Sequence, residues 1–387
     1  MIVAIPKEII PHENRVAALP ATVKELIKIG MEVIVESGAG EKSFFTDEKY
    51  QATGAKIERD TTKLYAQADL TLKVNHPVYN EALKIHEADL LKTGSAFVSF
   101  FQTTREKEVV KKLVAKKITG FSMHLIPRTT LAQKMDALSS QSNIAGYKAV
   151  LLAASHLGKY MPLLMTAAGT IPPAKVLVLG AGVAGLQAIA TAKRLGAQVE
   201  AFDVRPVVKE QVESLGAKFV EVVTDSDDGV GEGGYAKETS EEYKQKQQAL
   251  IKEHIGKSDI VITTALIPGR PAPLLIPKNM VEGMQPGSVI IDLAVENGGN
   301  CELTKADELA KHNDVLIDGP LNLPGSMPIH ASQLYAKNIT SFVSYMCPEG
   351  KLNLDLEDEI ISGAMFTHNG EITDEMTKKA FNNLRKK

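Results

Sequence analysis

Short apolar runs alternate with amphipathic segments along most of the chain, and this alternation predicts repeated strand–helix units. The first third contains the predicted strands Ile2–Ile5, Glu32–Glu36, Leu70–Val74 and Ser95–Phe101 and the predicted helices Pro20–Ile29, Asp47–Gly54 and 78–92. Residues 137–157 form one long predicted helix that is rich in alanine, leucine and isoleucine. Such a series is typical of a parallel sheet with helices on both faces.

The second half of the chain repeats this pattern, with predicted strands at 176–179, 198–202, 218–222, 259–263 and 288–292. Asp225–Lys246 is polar and rich in glycine, which indicates either a functional loop or a solvated insertion. Asp314–Ile317, Ala331–Met346 and the acidic C-terminal segment are expected to complete the first domain. We therefore predict an α/β protein with two doubly wound, Rossmann-like parallel-sheet domains joined by the long helix. The expected boundaries are residues 1–136 plus 315–387 for the first domain and residues 137–314 for the second.

Composition narrows the class of protein. The 387 residues are 44% hydrophobic and 24% charged, as in an ordinary globular protein, and the net charge of −3 predicts no nucleic-acid partner. The two cysteines have no metal-ligand or disulfide spacing, and no metal site is predicted. No signal peptide is apparent. The apolar run 176–192 contains the glycines of a strand–turn–helix, so direct membrane insertion is not predicted either.

The strongest motif lies in residues 176–203, which predict a strand, a glycine turn, a helix and a second strand that ends in an acid. Gly180 allows the tight turn, Gly182 lets a pyrophosphate approach the backbone, and Gly185 lets the helix pack closely on the strand. Asp203 follows where a carboxylate accepts hydrogen bonds from ribose hydroxyls and repels a 2′-phosphate. The motif therefore predicts a dinucleotide site that favours NAD(H) over NADP(H).

Two other polar groups could carry chemistry. Arg128, Gln133, Asp136 and Ser139 precede the long helix and could form a surface for a carboxamide or a ribose, or Ser139 or the next serine could simply cap that helix. Arg15 and Lys73 lie at predicted strand ends, where they could hold a substrate carboxylate or pair with acids such as Glu8 or Glu13. The residues alone leave both choices open.

With these motifs in view, the chain resembles, over nearly its whole length, the NAD(H)-binding alpha subunit (domain I) of proton-translocating NAD(P) transhydrogenase, a relative of alanine dehydrogenase. The most specific matching segments are Met135–Tyr147 and Thr263–Pro273. Other matching segments are Ile5–Glu8, Glu13–Ala18, Val35–Gly40, Gly180–Gly185, Gly233–Glu238, Asp292–Glu302 and Leu354–Glu359.

The resemblance assigns roles to particular residues. It implies that Arg128, Asp136 and Ser139 orient the nicotinamide of NAD(H), that Gln133 reaches towards an NADP(H) ribose, and that Tyr235 lies on a mobile loop that closes over NAD(H). The candidate catalytic residues are therefore Arg128, Gln133, Asp136 and Ser139. The candidate cofactor-binding residues are Gly180, Ala181, Gly182, Val183, Ala184, Asp203, Val204, Arg205, Tyr235, Thr264, Ala265 and Leu266.

Alanine dehydrogenase is the alternative. That family would use residues matching Arg15 and Lys73 to hold pyruvate, together with a general-acid histidine and an aspartate. Gln102 lies near the expected place of the histidine, and Glu296 occupies the aspartate position. Reduction of an imine or a ketone needs a proton as well as a hydride, which glutamine cannot supply, whereas hydride transfer between two nicotinamides needs no general acid.

The resemblance also implies an assembly. NADP(H) is expected on a partner subunit, proton movement in a membrane-spanning partner, and this chain in a homodimer. The expected location is cytoplasmic, on the inner face of the cytoplasmic membrane through those partners.

Overall fold

The computed structural model describes residues 1–222, 241–267 and 270–382. Two compact units are present, one formed by Met1–Gln141 with Pro324–Lys387 and the other by Ser142–Leu323. The chain passes from the first unit to the second within one long helix. Across the described ranges, no helix combines the length and apolar character that a bilayer span requires.

The first unit is built on an eight-stranded sheet. In chain order, its elements up to the long helix are β1 (Ile2–Ile5), α1 (Pro20–Lys28), β2 (Glu32–Glu36), α2 (Asp47–Gln51), β3 (Lys56–Glu58), α3 (Thr61–Gln67), β4 (Leu70–Leu72), β5 (Tyr79–Asn80), β6 (Ile85–His86), α4 (Glu87–Leu90), β7 (Ala96–Ser99), α5 (Lys107–Ala115), β8 (Thr119–Ser122) and α6 (Ala137–His156).

The helix predicted over 78–92 is wrong. β5 and β6 instead form an antiparallel hairpin, and α4 is a short helix after it. Lys84 has a left-handed φ of 55°, and the Asn80 side chain accepts a hydrogen bond from the Leu83 N–H at 3.0 Å. A continuous right-handed helix cannot contain such a residue, so a turn forms here.

The second unit contains a seven-stranded sheet. Its elements are the end of α6, then β9 (Leu164–Thr166), β10 (Gly169–Ile171), β11 (Lys175–Leu179), α7 (Val183–Arg194), β12 (Gln198–Phe202), α8 (Lys209–Ser214), β13 (Lys218–Val220), α9 (Glu241–Gly256), β14 (Ile260–Thr263), α10 (Lys278–Val281), β15 (Val289–Asp292), β16 (Leu309–His312) and β17 (Val315–Asp318). The strand order is β13-β12-β11-β14-β15-β17-β16, parallel except for β16. β14 and β15 are buried throughout, which explains their unbroken apolar sequences.

Two expectations need correction in this unit. The strand that was expected to complete the first domain, β17, pairs in parallel with β15 and therefore belongs to the second sheet. The end of the predicted loop, from Glu241 to Lys246, is helical because α9 begins at Glu241.

The C-terminal part of the chain returns to the first unit. Its elements are α11 (Pro328–Met346), α12 (Glu359–Ala364), β18 (Met365–His368), β19 (Glu371–Ile372) and α13 (Glu375–Asn382). The first sheet has the order β19-β18-β8-β7-β4-β1-β2-β3, parallel from β3 to β8 with β18 and β19 antiparallel at one edge. Tyr335, Phe342 and Met346 of α11 are fully buried in the core beside β1 and β8. Two Rossmann-like parallel-sheet units are thus confirmed, each with antiparallel strands at an edge.

Close helix packing in the second unit depends on Gly146. A β-carbon at this position of α6 would lie 2.0 Å from the carbonyl oxygen of Ala184 in α7, far inside van der Waals contact. The obstacle is backbone, which cannot rotate away as a long side chain can. α6 therefore packs against the first turn of α7 through bare backbone.

We expect Gly146→Ala to destabilise the second unit by about 1–3 kcal/mol, because overpacking outweighs the gain in helix propensity. Thermal unfolding followed by circular dichroism measures the effect as a lower melting temperature. Gly158→Ala is the matched control, since a β-carbon there meets nothing within 4 Å. Equal melting temperatures for the two variants would contradict the packing argument.

Candidate functional site

The glycine turn between β11 and α7 has the form that a dinucleotide site requires. Gly180 has a φ of +104°, which residues with a side chain rarely adopt, and a β-carbon there would lie 2.5 Å from Thr264 Oγ1. Gly182 is the N-cap of α7, and its missing side chain leaves an open face, since the nearest atom to a β-carbon would be 3.9 Å away. Val183, the first residue of the helix, is 41% exposed. The first N–H groups of α7 are therefore presented to an anion.

The third glycine brings the helix onto the strand. A β-carbon at Gly185 would lie 1.8 Å from the carbonyl oxygen of Gly180, so only glycine permits this approach. The neighbouring residues Ala181 and Ala184 are small, as the turn requires, and Ala181 is buried. All three predicted glycine functions thus have a steric counterpart.

Asp203 follows β12 directly, and its side chain faces the glycine turn. The carboxylate accepts a hydrogen bond from the Ala181 N–H at 2.7 Å. It also accepts bonds at 2.9 Å from the backbone N–H, Nε and Nη2 of Arg205. The Asp203 side chain is 6% exposed and that of Arg205 is 24% exposed, and Val204 between them is half-buried. The acid therefore lies at the predicted place beside the turn, already paired with a cation.

Thr264, Ala265 and Leu266 follow β14, the neighbour of β11. Thr264 Oγ1 donates to the Gly180 carbonyl oxygen at 3.0 Å, and Leu266 is 47% exposed. The strand order reverses between β11 and β14, and ligands of open α/β sheets bind at such a switch point, beyond the carboxyl ends of the strands. The structure thus brings the glycine turn, Asp203 and Thr264 to one end of one sheet.

A buried network that the sequence patterns do not reveal supports these loops. Asp292, at the end of β15, is fully buried and accepts hydrogen bonds from the Thr263 and Thr304 hydroxyls and from the N–H groups of Ala294, Asn300 and Cys301, at 2.8–3.0 Å. The Asn300 side chain accepts from the Ala265 N–H at 3.0 Å and donates to the Ala265 carbonyl at 2.9 Å. Five donors compensate the burial of this carboxylate and hold the loops after β14 and β15 together.

The polar group before α6 lies in the first unit. Asp136 Oδ1 accepts from the Ser139 N–H at 2.9 Å, and Asp136 Oδ2 accepts from the Ser139 hydroxyl at 2.6 Å. Asp136 therefore caps α6, and the expectation that a serine is the cap is wrong. Arg128 and Gln133 are exposed on the segment that leads to this cap.

Arg15 and Lys73 are paired with acids inside the first unit. Arg15 Nε and Nη2 donate to the two oxygens of Glu13 at 2.8 and 2.7 Å. Lys73 Nζ lies 2.6 Å from both oxygens of Glu87 and 3.8 Å from Glu8 Oε2. Arg15 is 7% exposed and Lys73 is fully buried. Of the two alternatives, pairing with nearby acids is what the structure shows.

Tyr235 lies outside the described residues, as does the predicted loop from 225 to 240. Gln102, at the position where the alternative family needs a histidine, accepts a hydrogen bond from Arg105 Nη1 at 3.0 Å. Within the described ranges, no cluster of three or more His, Cys, Asp or Glu residues could hold a metal ion.

Comparison with known proteins supplies the family. Residues 4–145 match the family model "Alanine dehydrogenase/PNT, N-terminal domain", and residues 149–375 match the corresponding C-terminal domain. The chain is 49% identical over 376 residues to the first segment of the split NAD(P) transhydrogenase subunit alpha of Rhodospirillum rubrum, covering 96% of this chain and 97% of that protein.

Solved structures agree with this relationship. A crystal structure of transhydrogenase from Sinorhizobium meliloti has a TM-score of 0.85 at 45% identity, covering 96% of this chain and 100% of that one. An L-alanine dehydrogenase structure has a TM-score of 0.82 at 26% identity, covering 99% of this chain and 100% of that one. The chain therefore belongs to the alanine dehydrogenase/PNT family and, within it, to the NAD(P) transhydrogenase alpha subunits.

Proposed function

We propose that this chain is the NAD(H)-binding part of a proton-translocating NAD(P) transhydrogenase, in which hydride passes between NADH and NADP⁺. The observation that carries the proposal is the glycine turn before α7, with Asp203 beside it at the switch point of the second sheet. The turn offers N–H groups to a pyrophosphate, and the carboxylate favours a free 2′-hydroxyl over a 2′-phosphate. When bound, the nicotinamide supplies the hydride chemistry itself, so the protein provides binding and orientation.

The polar group of the first unit is proposed to orient the nicotinamide end. Asp136 and Ser139 are held together by two hydrogen bonds at the start of α6, so their positions depend on a rigid helix. Arg128 and Gln133 are exposed on the preceding segment, which leaves their side chains accessible to a ligand or a partner. Gln133 is proposed to face the NADP(H) of the partner subunit, and Tyr235 to contact NAD(H).

The charge balance of the first unit disfavours the alternative, an alanine dehydrogenase-like activity. Arg15 and Lys73 are matched by three glutamates, Glu8, Glu13 and Glu87, all of them buried. An incoming pyruvate carboxylate would meet no excess positive charge and would have to displace Glu13 or Glu87. Gln102 offers no titratable proton for the reduction.

Glu8 shows how tightly this group is balanced. Burial raises the pKa of Glu8 from 4.5 to about 7, against the opposing attraction of Lys73. Glu8 Oε1 accepts from the Val74 N–H at 2.6 Å, whereas Oε2 has no hydrogen-bond partner within the described structure. A protonated Glu8 would make the five-residue group neutral.

The wider assembly is also part of the proposal. NADP(H) and the proton pathway are assigned to partner subunits, which would hold this chain at the inner face of the cytoplasmic membrane. A homodimer is supported by the β9–β10 hairpin, whose strands pair only with each other within the described structure. Residues 160–174 carry no charge, and Tyr160, Leu163 and Met165 are more than half exposed, as expected for a surface that a second copy covers. Light scattering at the mass of one chain would exclude the dimer.

The proposed reaction can be measured directly. The purified chain is mixed with an NADP(H)-binding transhydrogenase subunit, and hydride transfer from NADPH to an NAD analogue is followed by absorbance. We expect transfer that requires both proteins, and no alanine-dependent reduction of NAD⁺ by this chain alone. Absence of transfer, together with alanine-dependent formation of NADH, would overturn the proposal in favour of the alternative.

Gln133→Ala tests the proposed division of labour in the same assay. We expect hydride transfer to slow by about 10- to 100-fold, because misplacement of one nicotinamide is costly, while NADH affinity changes little. Gln51→Ala, which removes an exposed glutamine at the end of α2, is the control and should change neither quantity. Equal losses of rate and affinity would make Gln133 an ordinary binding residue.

Glu8→Gln tests the buried charge group. Because the pKa of Glu8 is raised on folding, the folded chain retains a proton that the unfolded chain releases above pH 4.5. Glu8 therefore makes the free energy of unfolding fall between about pH 4.5 and pH 7, and Glu8→Gln should remove this contribution. The variant's melting temperature relative to wild type should rise across that range, whereas Glu25→Gln, on the exposed face of α1, should show no such trend. Parallel profiles for Glu8→Gln and wild type would refute the assignment.

A further inference from the structure

The carboxylate of Asp203 is fully engaged. A carboxylate has about four acceptor positions, and four donors fill them here, one from Ala181 and three from Arg205. Three of these donors belong to one residue, so the Arg205 side chain folds back over its own backbone onto the acid. Ribose hydroxyls that bind Asp203 must therefore share it with Arg205 or displace the guanidinium.

The local sequence sets this geometry. Arg205 precedes Pro206, and a residue before proline is restricted to extended conformations. Its observed φ and ψ, −96° and 109°, lie in that region. The backbone N–H of Arg205 is thereby aimed at Asp203 Oδ1, and the side chain leaves the backbone on the same side as the acid.

The guanidinium lies at the mouth of the glycine turn. Arg205 Nη2 is 2.9 Å from Asp203 Oδ2 and 3.9 Å from the position that a β-carbon of Gly182 would occupy. It is thus between the acid that reads the ribose and the turn that receives the pyrophosphate. A guanidinium in this place is suited to bind a phosphate monoester, since planar bidentate donors match phosphate oxygens.

We propose that Arg205 is a second specificity-determining residue, a 2′-phosphate binder that Asp203 keeps occupied. In this pair, Asp203 disfavours NADP(H) twice, by repelling the 2′-phosphate and by holding the cation that would otherwise attract it. Loss of the negative charge at position 203 would then release Arg205 and turn the site towards NADP(H). This inference rests on the proposed NAD(H) site and extends it to the choice between the two dinucleotides.

Four forms of the full chain test the proposal: wild type, Asp203→Asn, Arg205→Gln and the double variant. Asparagine retains the shape of aspartate and an acceptor for the Ala181 N–H, and melting temperatures check that each form is folded. Dissociation constants for NADH and NADPH are measured by isothermal titration calorimetry at low and moderate salt. Wild type is expected to prefer NADH.

We expect Asp203→Asn to bind NADPH at least about 10-fold more tightly than wild type does, with an affinity that falls as salt increases. In the double variant this gain should disappear, and Arg205→Gln alone should not improve NADPH binding, because Asp203 still repels the phosphate. Equal NADPH affinity in Asp203→Asn and the double variant would overturn the role of Arg205, as would the absence of any gain. Failure of wild type to bind NADH would instead defeat the proposed function on which the inference rests.

Discussion

The second unit depends on two places where one backbone segment touches another with no β-carbon between them. Gly185 meets the Gly180 carbonyl, and Gly146 meets the Ala184 carbonyl, so β11, α7 and α6 are stacked at distances that no other residue allows. The first contact sets the height of α7 on the sheet, and the second presses α6 onto the same turn of α7. The position of the anion-binding helix end, and of Asp203 beside it, follows from these contacts.

The two units treat charge in opposite ways. In the second, the positive end of α7 lies at the surface with an open face beside Gly182, so an anion can complete it. In the first, the cations Arg15 and Lys73 are buried and matched by carboxylates of the same unit. Similar chemical groups therefore form a ligand site in one unit and an internal ion-pair group in the other.

Much of the fold could be predicted because buried parallel strands have unmistakable apolar runs, as in β11 and β15, and because the glycine turn combines three positional requirements in six residues. The failures have physical causes. The 78–92 segment has apolar residues at spacings that suit a helix, but a left-handed Lys84 makes a hairpin, and one residue's φ cannot be read from periodicity. β17 is a short apolar strand that would suit either sheet, and only its pairing with β15 assigns it.

The site could be predicted only in part. The spacing from Gly180 locates Asp203, but its pairing with Arg205 depends on side-chain geometry that spacing does not encode. Asp292 gives no signal in the sequence because an acid at a strand end looks ordinary until its five donors are placed around it. Asp136, rather than a serine, caps α6 because its carboxylate reaches both the N–H and the hydroxyl of Ser139.

The order of the units along the chain has a consequence for biosynthesis. Ser142–Leu323 forms a complete unit, whereas the first unit also needs residues from Pro324 onwards, including the buried face of α11 and the edge strand β18. During translation the second unit can therefore close while the first still lacks α11 and leaves the edge of β8 unpaired. An unpaired edge and an uncovered apolar face attract other chains. The interval between synthesis of residue 142 and of residue 368 is thus the period in which the nascent chain most needs protection from aggregation.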